Sequence, residues 1–172
     1  MANIITELFE KKLIQPPLWL PTNMHYLTIM GSYSYGVSGD SSDTDIYGFC
    51  MPPKGMIFPH LEGYLPGFDK DIPAFNHFEA HHVKKSDKQE YDFAIYGIVR
   101  YFRLVADGNP NMIDSIFTPV NCVLHMTSVG NMVRENRKLF LSKKCFHTFK
   151  GYAYAQRSVF EVSPSKKLKT KS

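Results

Sequence analysis

Residues 31–49, with the sequence GSYSYGVSGDSSDTDIYGF, decide the fold. The segment opens with Gly31-Ser32 directly after an apolar run, crosses a loop rich in Ser, Gly and Asp, and ends in a second apolar run that starts near Asp45. The two apolar runs, residues 25–30 and 44–51, predict two buried strands. The loop between them therefore joins two strands of one sheet.

Two carboxylates stand at the start of the second strand. Asp43 and Asp45 are two residues apart, and a strand points alternate side chains to the same face, so both carboxylates project together. Hard oxygen donors this close together are typical of a Mg²⁺ site. An isolated Asp-x-Asp pair is more often a solvated strand end, so the interpretation depends on the loop before it.

The loop has the composition of a phosphate cradle. Gly31, Ser32 and Ser42 can offer backbone N–H groups and hydroxyls to a phosphate with few side chains in the way. The spacing excludes a Walker A loop, since no Gly-Lys-Ser/Thr is present, and it does not match GxGxxG. A phosphate cradle beside a carboxylate pair predicts metal-dependent phosphoryl or nucleotidyl transfer.

A third acid is expected on a later strand. Residues 89–96 (QEYDFAIY) place Glu90 and Asp92 on one face and apolar residues on the other. Asp92 lies deeper in the strand, so we rank it above Glu90 as third metal ligand and base. Arg100 follows two helical turns later and is the best candidate cation for nucleotide phosphates, with a solvated helix position as the alternative.

The remaining pattern predicts an α+β fold, a mixed β-sheet with helices packed on one side and a C-terminal helical part. Helices are expected at residues 3–14, from 96 onward, and at 111–117, 127–140 and 144–161, and further strands at 74–83 and 122–125. We expect a catalytic domain over 1–125, a helical extension over 126–163 and a basic, disordered tail over 164–172.

Composition excludes several classes of protein. With 44% hydrophobic and 14% aromatic residues the chain can bury a core, which argues against disorder. No apolar run is long enough to span a membrane, and the acidic N-terminal residues do not resemble a signal peptide. Three widely spaced cysteines do not indicate a disulfide framework. We expect a cytoplasmic protein with no membrane partner.

Charge is unevenly distributed. The segment 166–172 has four lysines, and without it 16 basic residues face 16 acidic ones. Residues 31–79 contain seven acids and two lysines, whereas residues 131–150 contain six Lys or Arg and one Glu. This division suits an enzyme that holds metal ions on one wall and a polyanion on the other, although ordinary solvated faces would give the same counts.

The motif resembles the signature of the DNA-polymerase-β-like nucleotidyltransferases, Gly-Ser followed after about ten residues by Asp-x-Asp. Together with residues 91–119 (YDFAIYGIVRYFRLVADGNPNMIDSIFTP), it is similar to the RNA-ligase-associated, RNA repair pathway branch of that superfamily. The resemblance spans about residues 25–120 and returns weakly at Gly151-Tyr152-Ala153. Members of that branch continue into a further helical region, so either this chain is a shortened form or its acceptor-binding half is supplied elsewhere.

The resemblance implies roles for particular residues. Asp43, Asp45 and Asp92 would bind two Mg²⁺ or Mn²⁺ ions, with Asp92 also acting as base. Gly31 and Ser32 would hold the triphosphate of an NTP substrate. Asn109 and Asp114 would order the helical edge of the site.

The resemblance also implies an acceptor and partners. The acceptor would be an RNA end, and an RNA ligase or another repair protein is a possible partner. Two alternatives stay open: an AMPylating-type enzyme that modifies a protein hydroxyl, and a catalytically silent nucleotide- or RNA-binding module.

Overall fold

The computed structural model describes residues 3–31, 34, 44–65, 67–68, 74–86 and 89–162. Three predicted site residues, Ser32, Ser42 and Asp43, lie outside the described residues, as does the tail over 164–172. Asp45, Asp92, Gly31 and Arg100 lie within them. The structure therefore covers four of the predicted site residues.

In the described part of the chain, five strands form one mixed sheet in the order β3-β4-β2-β1-β5. The strands are β1 (Met24–Ile29), β2 (Thr44–Cys50), β3 (His77–Ser86), β4 (Gln89–Gly97) and β5 (Val123–Met126). The helices are α1 (Ile4–Glu10), α2 (Lys54–Ile57), α3 (Ile98–Ala106), α4 (Pro110–Phe117), α5 (Ser128–Glu135) and α6 (Lys143–Val162). The predicted α+β class is confirmed.

Strands β2 and β4 are parallel, and the other neighbouring pairs are antiparallel. Parallel neighbours need a crossover, and here the chain crosses through α2 and returns along β3 before β4. In the parallel pair, the register runs from Thr44 beside Tyr91 to Cys50 beside Gly97. The amino-terminal ends of both strands therefore meet at one edge of the sheet.

Helix α1 covers one face of the sheet. Asn3 caps the helix by accepting a hydrogen bond from the Thr6 N–H, and Ile5 and Leu8 are fully buried. They join a core cluster with the residues that strands point to this face, among them Leu27 and Ile46. The expectation of helices on one side therefore holds for α3 to α6, while the short α1 packs on the opposite face.

Helices α3 to α6 belong to the opposite face. Tyr26 and Phe49 point to it from the sheet and pack with Tyr101 of α3 and Ile113 of α4. Cys145 of α6 is part of the same buried cluster. The division into a catalytic domain over 1–125 and an extension over 126–163 remains a prediction. Among the described helices, none is long and apolar enough to cross a membrane.

Candidate active site

Two of the three predicted carboxylates lie side by side. Asp45 of β2 and Asp92 of β4 are direct partners in the parallel register. Neighbouring strands lie about 4.8 Å apart and partner residues share a face, so both side chains project from the same face of the sheet. Both residues are partly exposed. Glu90 shares this face, as the alternation predicts, because Phe93 and Ile95 pack into the α1 core.

Gly31 makes room for the Asp45 carboxylate. The Met30 N–H donates to the Asp45 carbonyl oxygen at 2.7 Å, which holds the end of β1 against β2. Gly31 follows with φ of +69°, and a Cβ there would lie 2.6 Å from Asp45 Oδ2. A Cβ would therefore displace the Asp45 carboxylate, and the positive φ itself favours glycine. The first residue of the predicted cradle is thus in contact range of the first described carboxylate.

An open cleft of about 200 Å³ borders Gly31 and Asp45. Its walls combine Gly31 and Asp45 with two apolar or aromatic side chains of the sheet and two side chains from helices. The lining residues are Met30, Gly31, Asp45, Tyr47, Asn111 and Tyr152. The cleft therefore has a carboxylate end and an aromatic, apolar end.

Helix α4 brings Asn111 to the cleft. Asn109 caps the helix by accepting a hydrogen bond from the Met112 N–H at 3.3 Å, and Pro110 occupies its first turn. Gly108, with φ of +68°, ends α3 just before. This turn accounts for the Gly-Asn-Pro sequence, and Asn109 fixes the start of the helix that carries Asn111.

A bulge in β3 holds Asp92 in place. The register of β3 against β4 shifts between Ala80 and Val83, and His82 has a φ of 55°. This conformation turns the His82 N–H toward Asp92 Oδ1, at 2.7 Å, while His81 Nδ1 lies 3.4 Å from Asp92 Oδ2. The bulge thus contacts both oxygens of the carboxylate.

These contacts keep Asp92 ionised. Partial burial raises the pKa of Asp92, but the His82 N–H and the His81 imidazole outweigh that effect and hold the pKa below its ordinary value. Glu90 has a different neighbour, because His82 Nδ1 lies 2.6 Å from Glu90 Oε1. Asp92, the direct partner of Asp45, is therefore the better placed of the two acids.

Arg100 lies at a different place from the cleft. It lines a second cavity of about 160 Å³ with Gly97, Pro52 and Arg103, at the carboxyl end of β2 and β4. Asp45 and Asp92 are near the amino-terminal ends of the same strands. The structure brings Gly31, Asp45 and Asp92 together and does not bring Arg100 to them, because α3 begins at the far end of β4.

Comparison with known proteins assigns the family. Residues 8–172 match the model of the RNA repair pathway DNA polymerase beta family. The chain belongs to this family. The match covers almost the whole chain and confirms the resemblance that residues 31–49 and 91–119 indicate. The name of the family points to polymerase-β-like nucleotidyl transfer in RNA repair.

A curated relative is the uncharacterized 38.9 kDa protein of the nrdC-mobD intergenic region of Enterobacteria phage T4. It is 28% identical over 139 residues, which are 79% of this chain and 38% of the phage protein. The chain thus matches well under half of the length of this relative.

The described side chains fit part of a metal site. In the described residues, which omit Asp43, no three His, Cys, Asp or Glu side chains are grouped to hold a metal ion. Asp45 and Asp92 supply carboxylate oxygens from adjacent strands, and Gly31 leaves the Asp45 carboxylate open to the cleft. Carboxylate oxygens are the donors that Mg²⁺ and Mn²⁺ prefer.

Sequence reasoning gave no site role to three residues that the structure places at the site. Asn111 and Tyr152 line the cleft, and His82 supports Asp92. Tyr152 had a signal, because it continues the helical spacing of Cys145 and Phe149 on α6. His82 had none, since a β-bulge depends on how two strands pair.

Proposed function

We propose that this protein transfers a nucleotide from an NTP to an acceptor hydroxyl. The hydroxyl oxygen attacks the α-phosphate, a new P–O bond forms, and pyrophosphate leaves with the electrons of the broken bond. The observation that carries this proposal is the pairing of Asp45 with Asp92, beside a cleft that Gly31 and Asp45 line. Carboxylates next to a phosphate cradle are the arrangement that nucleotidyl transfer needs.

Asp43, Asp45 and Asp92 are the proposed ligands of two Mg²⁺ or Mn²⁺ ions. Such ions, when bound, lower the pKa of an attacking hydroxyl and neutralise charge on the leaving oxygens. Asp92 is in addition the proposed base, and its depressed pKa keeps its carboxylate ionised at neutral pH. The histidines of the β3 bulge fix the direction in which Asp92 presents its oxygens.

The triphosphate side of the site is assigned to the loop that begins at Gly31. Gly31 has no side chain between its backbone and Asp45, so phosphate oxygens can approach the backbone closely. Ser32 and Ser42 are proposed to add backbone N–H groups and hydroxyls. Arg100 would contact phosphate only of a ligand that extends to the far end of β4.

An RNA end is the proposed acceptor. The family name supports it, and so does the basic segment over 131–150, which contributes Lys143, Lys144 and Lys150 to the exposed face of α6. Phosphates of a single strand would be held there by charge. An RNA ligase or another RNA repair protein would then act on the same RNA.

The test is to incubate the protein with each α-labelled NTP and Mg²⁺, with total RNA or total protein as acceptor. The expected result is label on RNA, at a rate that falls steeply between about 50 and 200 mM salt, because the protein contacts several RNA phosphates. Label on protein, at a rate insensitive to salt, would replace the RNA acceptor with a protein one. No label on either acceptor, with all four NTPs, would contradict transferase activity.

A further inference from the structure

Tyr152 stands at the aromatic end of the cleft without belonging to the core. Its side chain is 44% exposed, and every neighbour on α6 from Lys150 to Arg157 is exposed as well. Tyr152 follows Cys145 and Phe149, which pack into the core, at helical spacing. The core-facing stripe of α6 thus continues past the edge of the core and over the cleft.

The opposite walls of the cleft suit the two parts of a nucleotide. Gly31 leaves space for phosphates and Asp45 is a proposed metal ligand, so this end suits phosphates bound through a metal ion. Tyr47 lies on the same strand face as Asp45, two residues along, and with Met30 it forms the apolar floor. Burial, with Tyr96 and nearby carboxylates, raises the pKa of Tyr47, so it is a neutral phenol. An aromatic ring from α6 completes this end.

We propose that Tyr152 is the platform on which the base of the bound nucleotide stacks. This inference rests on the proposed function, and it deepens it by assigning the base-binding wall to α6. An aromatic ring stacks on any nucleobase, because every base has a π-face. Tyr152 therefore contributes affinity for NTPs in general, while the Asn111 amide is the polar group in the cleft that can contact a base edge.

Tyr154 provides a matched control on the same helix. It is 62% exposed and lies two residues on, about 200° round the helix axis, so it points away from the cleft. Its ring contacts the Lys150 ammonium, 5.8 Å from the ring centroid. Replacing either tyrosine with alanine removes the same atoms from an exposed position, so neither change is expected to unfold the protein.

The experiment measures two dissociation constants in Mg²⁺, for α,β-methylene-ATP and for inorganic tripolyphosphate. Tyr152→Ala is expected to weaken binding of the nucleotide analogue by about 5- to 100-fold and to leave tripolyphosphate unchanged. Tyr152→Phe keeps the ring and is expected to bind both as wild type does. Tyr154→Ala is expected to change neither constant.

Three results would overturn the stacking role. The first is that Tyr152→Ala binds the analogue as tightly as wild type does. The second is that Tyr152→Ala loses affinity for the analogue and for tripolyphosphate to the same extent, which would indicate damage to the fold. The third is that wild type binds tripolyphosphate as tightly as the analogue, which would mean that the base adds no affinity. Failure of the wild type to bind either ligand would overturn the proposed function along with the inference.

Discussion

At the scale of single residues, the site depends on a position without a side chain, Gly31. Gly31 has a positive φ, which glycine adopts without cost, and the position of its absent Cβ is 2.6 Å from Asp45 Oδ2. Gly63 has a similar φ of +85°, but an added Cβ there meets nothing within 4 Å. Substituting each of the two glycines therefore distinguishes the effect of backbone strain from the effect of displacing the Asp45 carboxylate.

Gly31→Ala and Gly63→Ala are each expected to lower the free energy of unfolding by about 1–2 kcal/mol, the cost of a left-handed conformation with a Cβ. Nucleotide transfer is expected to be lost only in Gly31→Ala, because its Cβ pushes Asp45 away from Asp92. Denaturant unfolding and a transfer assay on both variants check this. Equal transfer rates would show that Asp45 tolerates displacement.

His82 is a non-glycine residue with a positive φ, a conformation that carries a cost for it. Its φ of 55° directs its N–H to Asp92, and this backbone contact does not need the imidazole. His82→Gly and His82→Ala both remove the contact with Glu90, and they differ only in the ease of a positive φ.

His82→Ala is therefore expected to be less stable to denaturant than His82→Gly by about 1 kcal/mol. His82→Gly is also expected to keep more transfer activity, because it retains the bulge and the donor to Asp92. The two variants would unfold at the same denaturant concentration if the bulge could relax to a negative φ.

At the scale of elements, periodicity predicts faces well and pairing poorly. Alternation in residues 89–96 places Asp92 opposite Phe93, and the structure agrees because Phe93 is buried against α1 while Asp92 is partly exposed. The same alternation cannot tell that β4 pairs with β2 in parallel, since that depends on crossovers distant in sequence. For the same reason the bulge at His82 and the position of Arg100 were beyond prediction.

Helix α5 is joined to the sheet through a buried arginine. Arg134 donates to the Tyr26 hydroxyl at 2.9 Å and also to the Thr118 carbonyl oxygen. Tyr26 in turn donates to the Ser115 carbonyl oxygen. Arg134 thus connects β1, α5 and the end of α4 behind the site.

Arg134→Met keeps the apolar stem and leaves the Thr118 carbonyl without this donor. We expect the free energy of unfolding to fall by about 1–3 kcal/mol, the cost of an unpaired buried acceptor. Arg103→Met, at an exposed position, is the control and is expected to stay within about 0.5 kcal/mol of wild type. Equal unfolding curves for the two variants would mean that Arg134 only fills space.

At the scale of the whole molecule, acidic and basic residues are concentrated in different segments of the chain. The acidic segment over 31–79 includes Gly31 and Asp45 of the site, and the basic segment over 131–150 includes the start of α6. Beyond both, residues 166–172 carry four lysines. The lysines add positive charge to a chain that is otherwise balanced, so they are expected to attract a polyanion without selecting its sequence.

Deleting residues 164–172 is expected to weaken RNA binding at low salt and to leave NTP affinity unchanged. Each phosphate contact on a single strand contributes about 0.7 to the slope of log affinity against log salt, so the slope should fall by up to about 2. RNA affinity measured against salt concentration for the full-length and the shortened chain tests this. Plots with the same slope and the same affinity would mean that the tail takes no part in RNA binding.

The most direct test compares the rate of Mg²⁺-dependent nucleotide transfer in Asp45→Asn and Glu79→Gln. Each substitution removes one negative charge, and both side chains lie on the same sheet face, but Glu79 is beside the exposed His77 rather than Asp92. Asp45→Asn is expected to lose at least about 100-fold in rate, with a melting temperature unchanged or slightly raised because like charges no longer repel. Glu79→Gln is expected to transfer as wild type does. Transfer by Asp45→Asn at the wild-type rate would contradict the metal-dependent site between Asp45 and Asp92.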